Sequence, residues 1–254
     1  MWKSIENILF PDSFEDAQKH ANISKVFFAG GTYLVSEKNI SISTLIDINQ
    51  LIGKSIYVDE KTSKVTIEAG ATLQQLSGWF SENHQSDFDD IIKSSCPSKN
   101  IRNQRTIGGE IAQARRNSEF YLALMALNVS LTVHSSTENI LNLRDWNGAG
   151  VISQIKIPLD DLLSLSSQRF SVLPSAPAFM VIAVSRKVSA IDIVIGGKCS
   201  KITSVSVKKE TIKNEDFEPL IKAAAKNFFN DHYGSITYKS YLLKTGLKRI
   251  ESTL

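Results

Sequence analysis

Apolar positions at strand and helix spacing divide the first 160 residues into short, mixed elements. Ser13, with Asp16 three residues later, predicts a helix start, and Thr72 with Gln75 predicts another. Helical spacing then predicts helices that end near residue 22 and that span 72–80, 87–95 and 118–128. Short apolar runs and alternating positions predict strands at 25–28, 44–48, 55–60, 64–69, 129–133 and 151–157, the pair around residue 62 forming a hairpin.

The last third of the chain has a different order of elements. A polar, serine-rich stretch at 160–168 predicts a domain boundary. Three predicted strands follow, and two helices come after them; their ranges are 179–184, 190–195, 202–207, 216–230 and 235–252. Strands followed by helices are typical of an α+β layer.

Two pairs of adjacent glycines carry the candidate chemistry. The first glycine segment, residues 27–34 (FFAGGTYL), follows a predicted strand; the second glycine segment, residues 101–112 (IRNQRTIGGEIA), is a predicted polar turn entering an apolar run. Paired glycines let backbone amides approach a bulky anion and tolerate positive φ. A surface turn is the alternative for either pair alone. Neither segment fits the three-glycine dinucleotide fingerprint or a P-loop.

Composition excludes several classes of protein. The 254 residues carry 29 Lys plus Arg against 26 Asp plus Glu, so the net charge of +3 gives no general attraction to nucleic acid. No apolar run approaches the roughly 20 residues of a membrane span, and the first residues lack the apolar region of a secretory signal. We therefore expect no membrane partner and a cytoplasmic protein.

Metal and side-chain catalytic sites are not expected. The two cysteines are isolated, and the four histidines show no ligand spacing, so we expect no metal ligands. No catalytic triad is visible. Residues 198–254 are basic, with 11 Lys plus Arg against 6 Asp plus Glu. This surplus fits either solvated helix faces or docking to an acidic partner subunit.

Taken together, the two glycine segments and the run LALMAL at 122–127 resemble the FAD-binding subunit of the molybdenum hydroxylases, the xanthine dehydrogenase and carbon monoxide dehydrogenase family. The sequence SITYK at 235–239 is also similar to the end of that subunit, so the resemblance covers essentially the whole chain. It implies an α+β protein with a two-subdomain clasped-FAD (PCMH-type) fold, followed by a C-terminal α+β domain of antiparallel sheet plus helices. The implied ranges are 1–53 and 54–160 for the FAD-binding subdomains and 161–254 for the C-terminal flavoprotein domain.

The resemblance also implies which residues contact the cofactor. In the two glycine segments they are Phe27, Phe28, Ala29, Gly30, Gly31, Thr32, Tyr33, Leu34, Thr106, Gly108, Gly109 and Glu110. We expect amides of both segments to hold the diphosphate. Glu119 falls where the family has an aspartate that hydrogen-bonds the cofactor, while Ile152 and Cys96 match positions near it, with Cys96 favoured as a buried, inert thiol. Arg169 lies near a position where a cation beside the flavin would raise its potential.

The implied function is that of an oxidoreductase subunit without catalytic side chains. It would pass electrons from the iron–sulfur clusters of partner subunits through FAD to an acceptor such as NAD. The implied partners are a molybdopterin-binding large subunit and a 2Fe–2S small subunit. The chain differs from the usual residues of that family at Tyr33, Glu110 and Arg115-Arg116. These differences leave open the alternative of a degenerate assembly subunit that does not bind FAD. A free-standing FAD oxidoreductase is another alternative. Glu110 should repel phosphates unless Arg115, Arg116 or an amide compensates.

Overall fold

The structure is a computed structural model that describes residues 2–187, 190–208 and 217–252. In chain order the strands are β1 (Asn7–Leu9), β2 (Lys25–Phe28), β3 (Thr44–Asp47), β4 (Ile56–Asp59), β5 (Lys64–Glu68), β6 (Ser130–His134), β7 (Glu138–Asn142), β8 (Val151–Pro158), β9 (Leu165–Phe170), β10 (Met180–Arg186), β11 (Ile191–Gly197) and β12 (Thr203–Val207). The helices are α1 (Phe14–His20), α2 (Thr32–Glu37), α3 (Leu73–Glu82), α4 (Ser86–Ser95), α5 (Lys99–Arg102), α6 (Ile107–Gln113), α7 (Glu119–Leu127), α8 (Leu159–Leu162), α9 (Glu218–Ala225) and α10 (Ile236–Ser252).

Three sheets confirm the predicted α+β class. A parallel sheet has the order β1-β3-β2, a five-stranded antiparallel sheet the order β4-β5-β8-β6-β7, and a four-stranded antiparallel sheet the order β12-β11-β10-β9. Each sheet takes its strands from one of the ranges 1–53, 54–160 and 161–254. The three-part domain division itself stays a prediction.

Contacts divide the chain into two compact units whose segments alternate along the sequence. The first unit contains the chain up to Trp79, Ser98–Ala114 and Val129–Pro158. The second contains Phe80–Pro97, Arg115–Asn128 and the chain from Leu159 onwards. The first unit therefore holds the parallel and five-stranded sheets, and the second holds the four-stranded sheet.

The core of the second unit packs the four-stranded sheet against helices. One face of β10 and β11 meets α9 and α10 through buried apolar side chains that include Ile182, Ile193 and Leu243. Helix α7 packs on the same two strands, and nearly all of its residues are buried. The start of the predicted helix 216–230 lies outside the described residues, and its described part ends at Ala225. No helix among the described residues is long and apolar enough to cross a membrane.

Local signals in the sequence match the structure where capping controls the start of a helix. The Ser13 hydroxyl accepts from the Asp16 amide at 3.1 Å, as predicted. The Thr72 amide donates to Gln75 Oε1 at 2.9 Å while the Gln75 amide donates to Thr72 Oγ1 at 3.2 Å, which completes the predicted capping box. The predicted hairpin is also confirmed as β4 and β5.

The polar stretch 160–168 comes directly after the change from the first unit to the second, which lies between Pro158 and Leu159, and the domain boundary expected there stays a prediction. The stretch contains α8 and most of β9, and β9 is hydrogen-bonded along its length to β10. One prediction about the second glycine segment is wrong. The glycine pair of the second glycine segment does not lie in a turn, because Gly108 and Gly109 belong to the first turn of α6. Tertiary hydrogen bonds, described below, outweigh the low helix propensity of glycine, which costs about 1 kcal/mol per residue.

Candidate functional site

The first glycine segment turns from β2 into the short helix α2. Gly31 is the N-cap and has φ 67°, which is the left-handed conformation that glycine adopts without strain. The ring of Phe28 lies against Gly31, where a Cβ would come within 2.4 Å of Phe28 Cε2. Asn49 supports the turn by donating to the carbonyl of Ala29 at 3.3 Å. The turn is therefore fixed by strand, ring and side-chain contacts before any ligand binds.

Five backbone amides of this turn are available to hydrogen-bond a ligand. Within the described part of the chain, the backbone N–H groups of residues 30–34 donate to no protein acceptor. Orphan amides at a helix start carry partial positive charge and bind anions. The first glycine segment thus offers the donors that its sequence predicts.

The second glycine segment uses its amides internally. Thr106 is the N-cap of α6, and its hydroxyl accepts from the amide of Gly109 at 3.1 Å. The amide of Gly108 donates to the carbonyl of Ala69 at 2.9 Å. The expectation that these two amides hold a diphosphate is therefore wrong. Gly108 is needed for packing instead, since a Cβ there would lie 2.9 Å from the Cβ of Ala69.

The two glycine segments meet at Gly30. A Cβ on Gly30 would lie 2.0 Å from the carbonyl oxygen of Gln104 and 3.2 Å from the amide nitrogen of Thr106. The two backbones are therefore closer than any side chain would allow. Residues that are more than 70 positions apart form one continuous cradle in the first unit.

Arg105 and Glu110 form an ion pair inside this cradle, and sequence reasoning missed Arg105. Its Nη1 lies 3.5 Å from Glu110 Oε2, and the carboxylate side chain is 2% exposed. Its Nε donates to the hydroxyl of Thr32 at 3.3 Å. A cation just before an N-cap and an acid in the first helical turn were the available signals. Arg116 is used elsewhere and donates to the carbonyl of Ser200 in the second unit.

Ile152 is the remaining residue of the first unit that was predicted to lie near the cofactor. It lies in β8, is buried, and pairs with Val133 where the register between β6 and β8 shifts. A β-bulge of this kind re-aims side chains at the edge of a site. Its place against the flavin ring stays a prediction.

The second unit contains Glu119, Arg169 and Cys96. Glu119 and Arg169 line one pocket of about 620 Å³. Glu119 is 6% exposed, and its two carboxylate oxygens accept from Ser167 at 2.6 Å and from Ser94. Cys96 is a buried cysteine at the C-terminal end of α4.

Arg169 holds a loop of its own unit. Its guanidinium donates to the hydroxyl of Ser171 at 2.9 Å, to the carbonyl of Pro174 at 2.8 Å and to the carbonyl of Ala176. Three donors are thus directed at residues 171–176. The predicted roles of Glu119, Cys96 and Arg169 beside a cofactor stay predictions.

Three solved structures share this fold over nearly the whole length of both chains. Quinoline 2-oxidoreductase from Pseudomonas putida 86 gives a TM-score of 0.75 with 16% identity, covering 97% of this chain and 95% of that chain. A Cu,Mo-CO dehydrogenase gives 0.73 with 17% identity and 96% of both chains. Carbon monoxide dehydrogenase from Hydrogenophaga pseudoflava gives 0.69 with 18% identity, covering 96% and 95%. At these identities the likeness shows the fold.

A match to a family profile identifies the family as well as the fold. Residues 4–158 match the family described as the FAD binding domain in molybdopterin dehydrogenase. Curated protein sequences give no match. The matched range contains both glycine segments and the cradle that they form, and orphan amides with a left-handed glycine fit an anionic dinucleotide. Because this match extends over more than half of the 254 residues, the chain belongs to the family of FAD-binding domains of molybdopterin dehydrogenases.

Proposed function

We propose that the chain is the FAD-binding electron-transfer subunit of a molybdenum hydroxylase of the xanthine dehydrogenase type. Its partners are a molybdopterin-binding large subunit and a 2Fe–2S small subunit, and its acceptor is a soluble carrier such as NAD. When bound, FAD takes electrons one at a time and delivers them in pairs. The observation that carries the proposal is the cradle in which Gly30 meets the carbonyl of Gln104 beside five unused amides.

The residues of the chain bind and orient the cofactor in this proposal. The amides of residues 30–34 hold the diphosphate, and each hydrogen bond to a charged group contributes about 1.5–3 kcal/mol. Thr106, Gly108 and Gly109 shape the cradle by fixing α6 against it. Glu119 offers carboxylate lone pairs that its two serine partners leave unused. No side chain has to move a proton.

The ion pair of Arg105 and Glu110 weakens the alternative of an assembly subunit without FAD. That alternative rested in part on the carboxylate of Glu110 repelling phosphates. The carboxylate is buried and faces a guanidinium 3.5 Å away, so its charge is compensated. Tyr33 lies in α2 and is half-buried, and its backbone amide is one of those that donate to no acceptor in the described part of the chain.

Flavin binding tests the first part of the proposal. The purified full chain is titrated with FAD and its visible absorption spectrum is recorded after the free flavin is removed. We expect a yellow protein that retains flavin in equal molar amount. A colourless protein after the titration contradicts the proposal.

Assembly and acceptor are tested in the native host. A tagged chain should copurify with a molybdopterin subunit and an iron–sulfur subunit in fixed ratio, whereas recovery of the flavin-loaded chain alone supports a free-standing oxidoreductase. Anaerobic addition of NADH to the complex should bleach the flavin if NAD is the acceptor. The same cells, fractionated, test the predicted cytoplasmic location.

A further inference from the structure

Arg105 connects the two glycine segments through its side chain. Its Nε donates to Thr32 Oγ1 in the first segment, and its Nη1 faces the buried Glu110 in α6 of the second. The side chain is 15% exposed, so it lies at the boundary between protein and solvent. The backbone of Arg105 is anchored as well, because its carbonyl accepts from the amide of Leu73 at 2.8 Å. The guanidinium is thus held from both sides.

One end of this guanidinium is still available. Arginine carries five N–H donors in a planar fork. Nε and Nη1 have protein partners, whereas Nη2 has none among the described residues. Thr32, which Nε contacts, also carries one of the amides that donate to no protein acceptor. The free donors of Arg105 and of the turn therefore belong to the same small region.

The first glycine segment contains no charge of its own. Residues 27–34 read Phe-Phe-Ala-Gly-Gly-Thr-Tyr-Leu, so the amides would have to hold two anionic phosphates without a cation. Arg102, the other arginine of the second segment, is buried and donates to Gln74 Oε1 at 3.0 Å. Arg105 is the cation that contacts the amide-bearing turn. Guanidinium groups bind phosphate with directed, charge-assisted hydrogen bonds.

We propose that Arg105 is a ligand for the diphosphate of FAD and that Glu110 is the positioning residue that fixes its guanidinium. This inference rests on the proposed FAD binding and adds a residue that neither glycine motif indicates. Glu110 restricts the rotamers of Arg105, and the buried carboxylate in turn needs the cation. The pair supplies one oriented cation to a turn that otherwise offers neutral amides.

The test separates a ligand from a structural arginine. Removing Arg105 by itself would take one counter-charge away from a buried carboxylate, so the main variant is R105Q/E110Q, which removes both charges. The single variant E110Q keeps an amide oxygen that accepts from Arg105. R144Q removes a guanidinium of the first unit outside both glycine segments and serves as the matched control. For each full-length protein we measure FAD affinity, melting temperature and the phosphorus-31 resonances of bound FAD.

We expect R105Q/E110Q to bind FAD about ten- to a hundredfold more weakly, as the loss of one hydrogen bond to a charged group predicts. Its bound FAD should show shifted phosphorus resonances while its melting temperature stays close to that of the unaltered chain. R144Q should keep the affinity and the phosphorus resonances of the unaltered chain, whereas E110Q, which loses the charge that fixes the guanidinium but keeps Arg105, should weaken FAD binding less than R105Q/E110Q does. Complete loss of FAD binding by a double variant of unchanged melting temperature also supports the proposal.

Two results overturn it. One is a double variant with unchanged affinity and unchanged phosphorus resonances. The other is a double variant whose affinity and melting temperature fall together while the phosphorus resonances of its bound FAD stay the same, because that is the effect of a structural arginine. If the unaltered chain binds no FAD, the proposed function fails first, and this outcome is distinct from a failure of Arg105 alone.

Discussion

Replacing Gly30 by alanine tests whether the contact between the two glycine segments holds the cradle together. The added Cβ would lie 2.0 Å from the carbonyl oxygen of Gln104 and 3.0 Å from its carbonyl carbon. Both atoms belong to the backbone, so no side-chain rotation can relieve the overlap. The first and second glycine segments have to separate by about 1–1.5 Å to reach ordinary nonbonded distances.

The expected loss of stability of Gly30→Ala follows from the cost of overpacking. Inserting one methyl group into a closely packed site typically costs about 1–3 kcal/mol, and a rigid backbone partner places Gly30→Ala near the upper end. For a chain of this size, 1 kcal/mol shifts the melting temperature by about 2–4 °C. We therefore expect Gly30→Ala to melt about 4–12 °C lower. FAD affinity should also fall, since the amides of the turn are displaced from the second segment.

Gly78→Ala is the control, because a Cβ at Gly78 meets no atom within 4 Å and the residue lies inside helix α3. Alanine is favoured over glycine in a helix by about 1 kcal/mol, so this variant should melt at the same or a slightly higher temperature with unchanged FAD affinity. Thermal unfolding followed by circular dichroism and titration of flavin fluorescence measure both properties. A Gly30→Ala protein with the melting temperature and FAD affinity of the unaltered chain would refute the reasoning.

Three further predictions concern buried polar groups of the second unit. Asp231→Asn leaves the buried Lys239 without its ion pair at 2.9 Å and should cost about 3 kcal/mol in urea unfolding at pH 7. Burial opposes ionisation of Asp231, but the hydrogen bonds from Lys239 and from the Tyr233 amide outweigh it and lower the pKa of Asp231. The contribution of the ion pair to stability is therefore complete above the pKa of the unfolded chain, about 3.9, and is lost as the pH falls through the pKa of the folded chain. The free energies of unfolding of the unaltered chain and of Asp231→Asn should therefore converge in acid, and a difference that stays constant with pH contradicts this. Ser167→Ala removes a hydroxyl donor from buried Glu119 and should lower stability by about 1–3 kcal/mol, whereas an unchanged melting temperature would show that the bond is not needed. Burial raises the pKa of the Cys199 thiol against the lowering charges of Arg116 and Lys239, so iodoacetamide at pH 8 should label it far more slowly in the folded chain than in urea; equal rates would be the opposite result.

Local chemistry determined those parts of the fold that depend on neighbours in the sequence. The capping residues Ser13 and Thr72 and the alternation around residue 62 predicted α1, α3 and the hairpin, because each signal acts within a few residues. Strands without such a signal were missed. β7 is exposed at nearly every position and shows no alternation, and it forms because β6 supplies its hydrogen-bond partners. β9 is rich in serine and exists as a strand because β10 pairs with it.

The same division applies to the candidate site. The residue types were determined by the sequence, since glycine adopts the left-handed φ of Gly31 without strain and a residue with a Cβ does not fit the close approach at Gly30. The family that these motifs resemble was likewise recognised from the sequence, and the match of residues 4–158 confirms it. The amides of the first glycine segment are available as that reading predicts.

The tertiary structure decided what each glycine pair does. Gly108 and Gly109 are helical and their amides are engaged, because Ala69 and Thr106 supply acceptors that the sequence does not reveal. The pairing of Arg105 with Glu110, and its contact with Thr32 73 residues away, depends on chain folding as well. Periodicity and capping report on atoms a few residues apart, whereas close approach between distant segments is set by how sheets and helices pack. The sequence by itself therefore determined which chemical groups are present, and only the packing decided which of them remain free for a ligand.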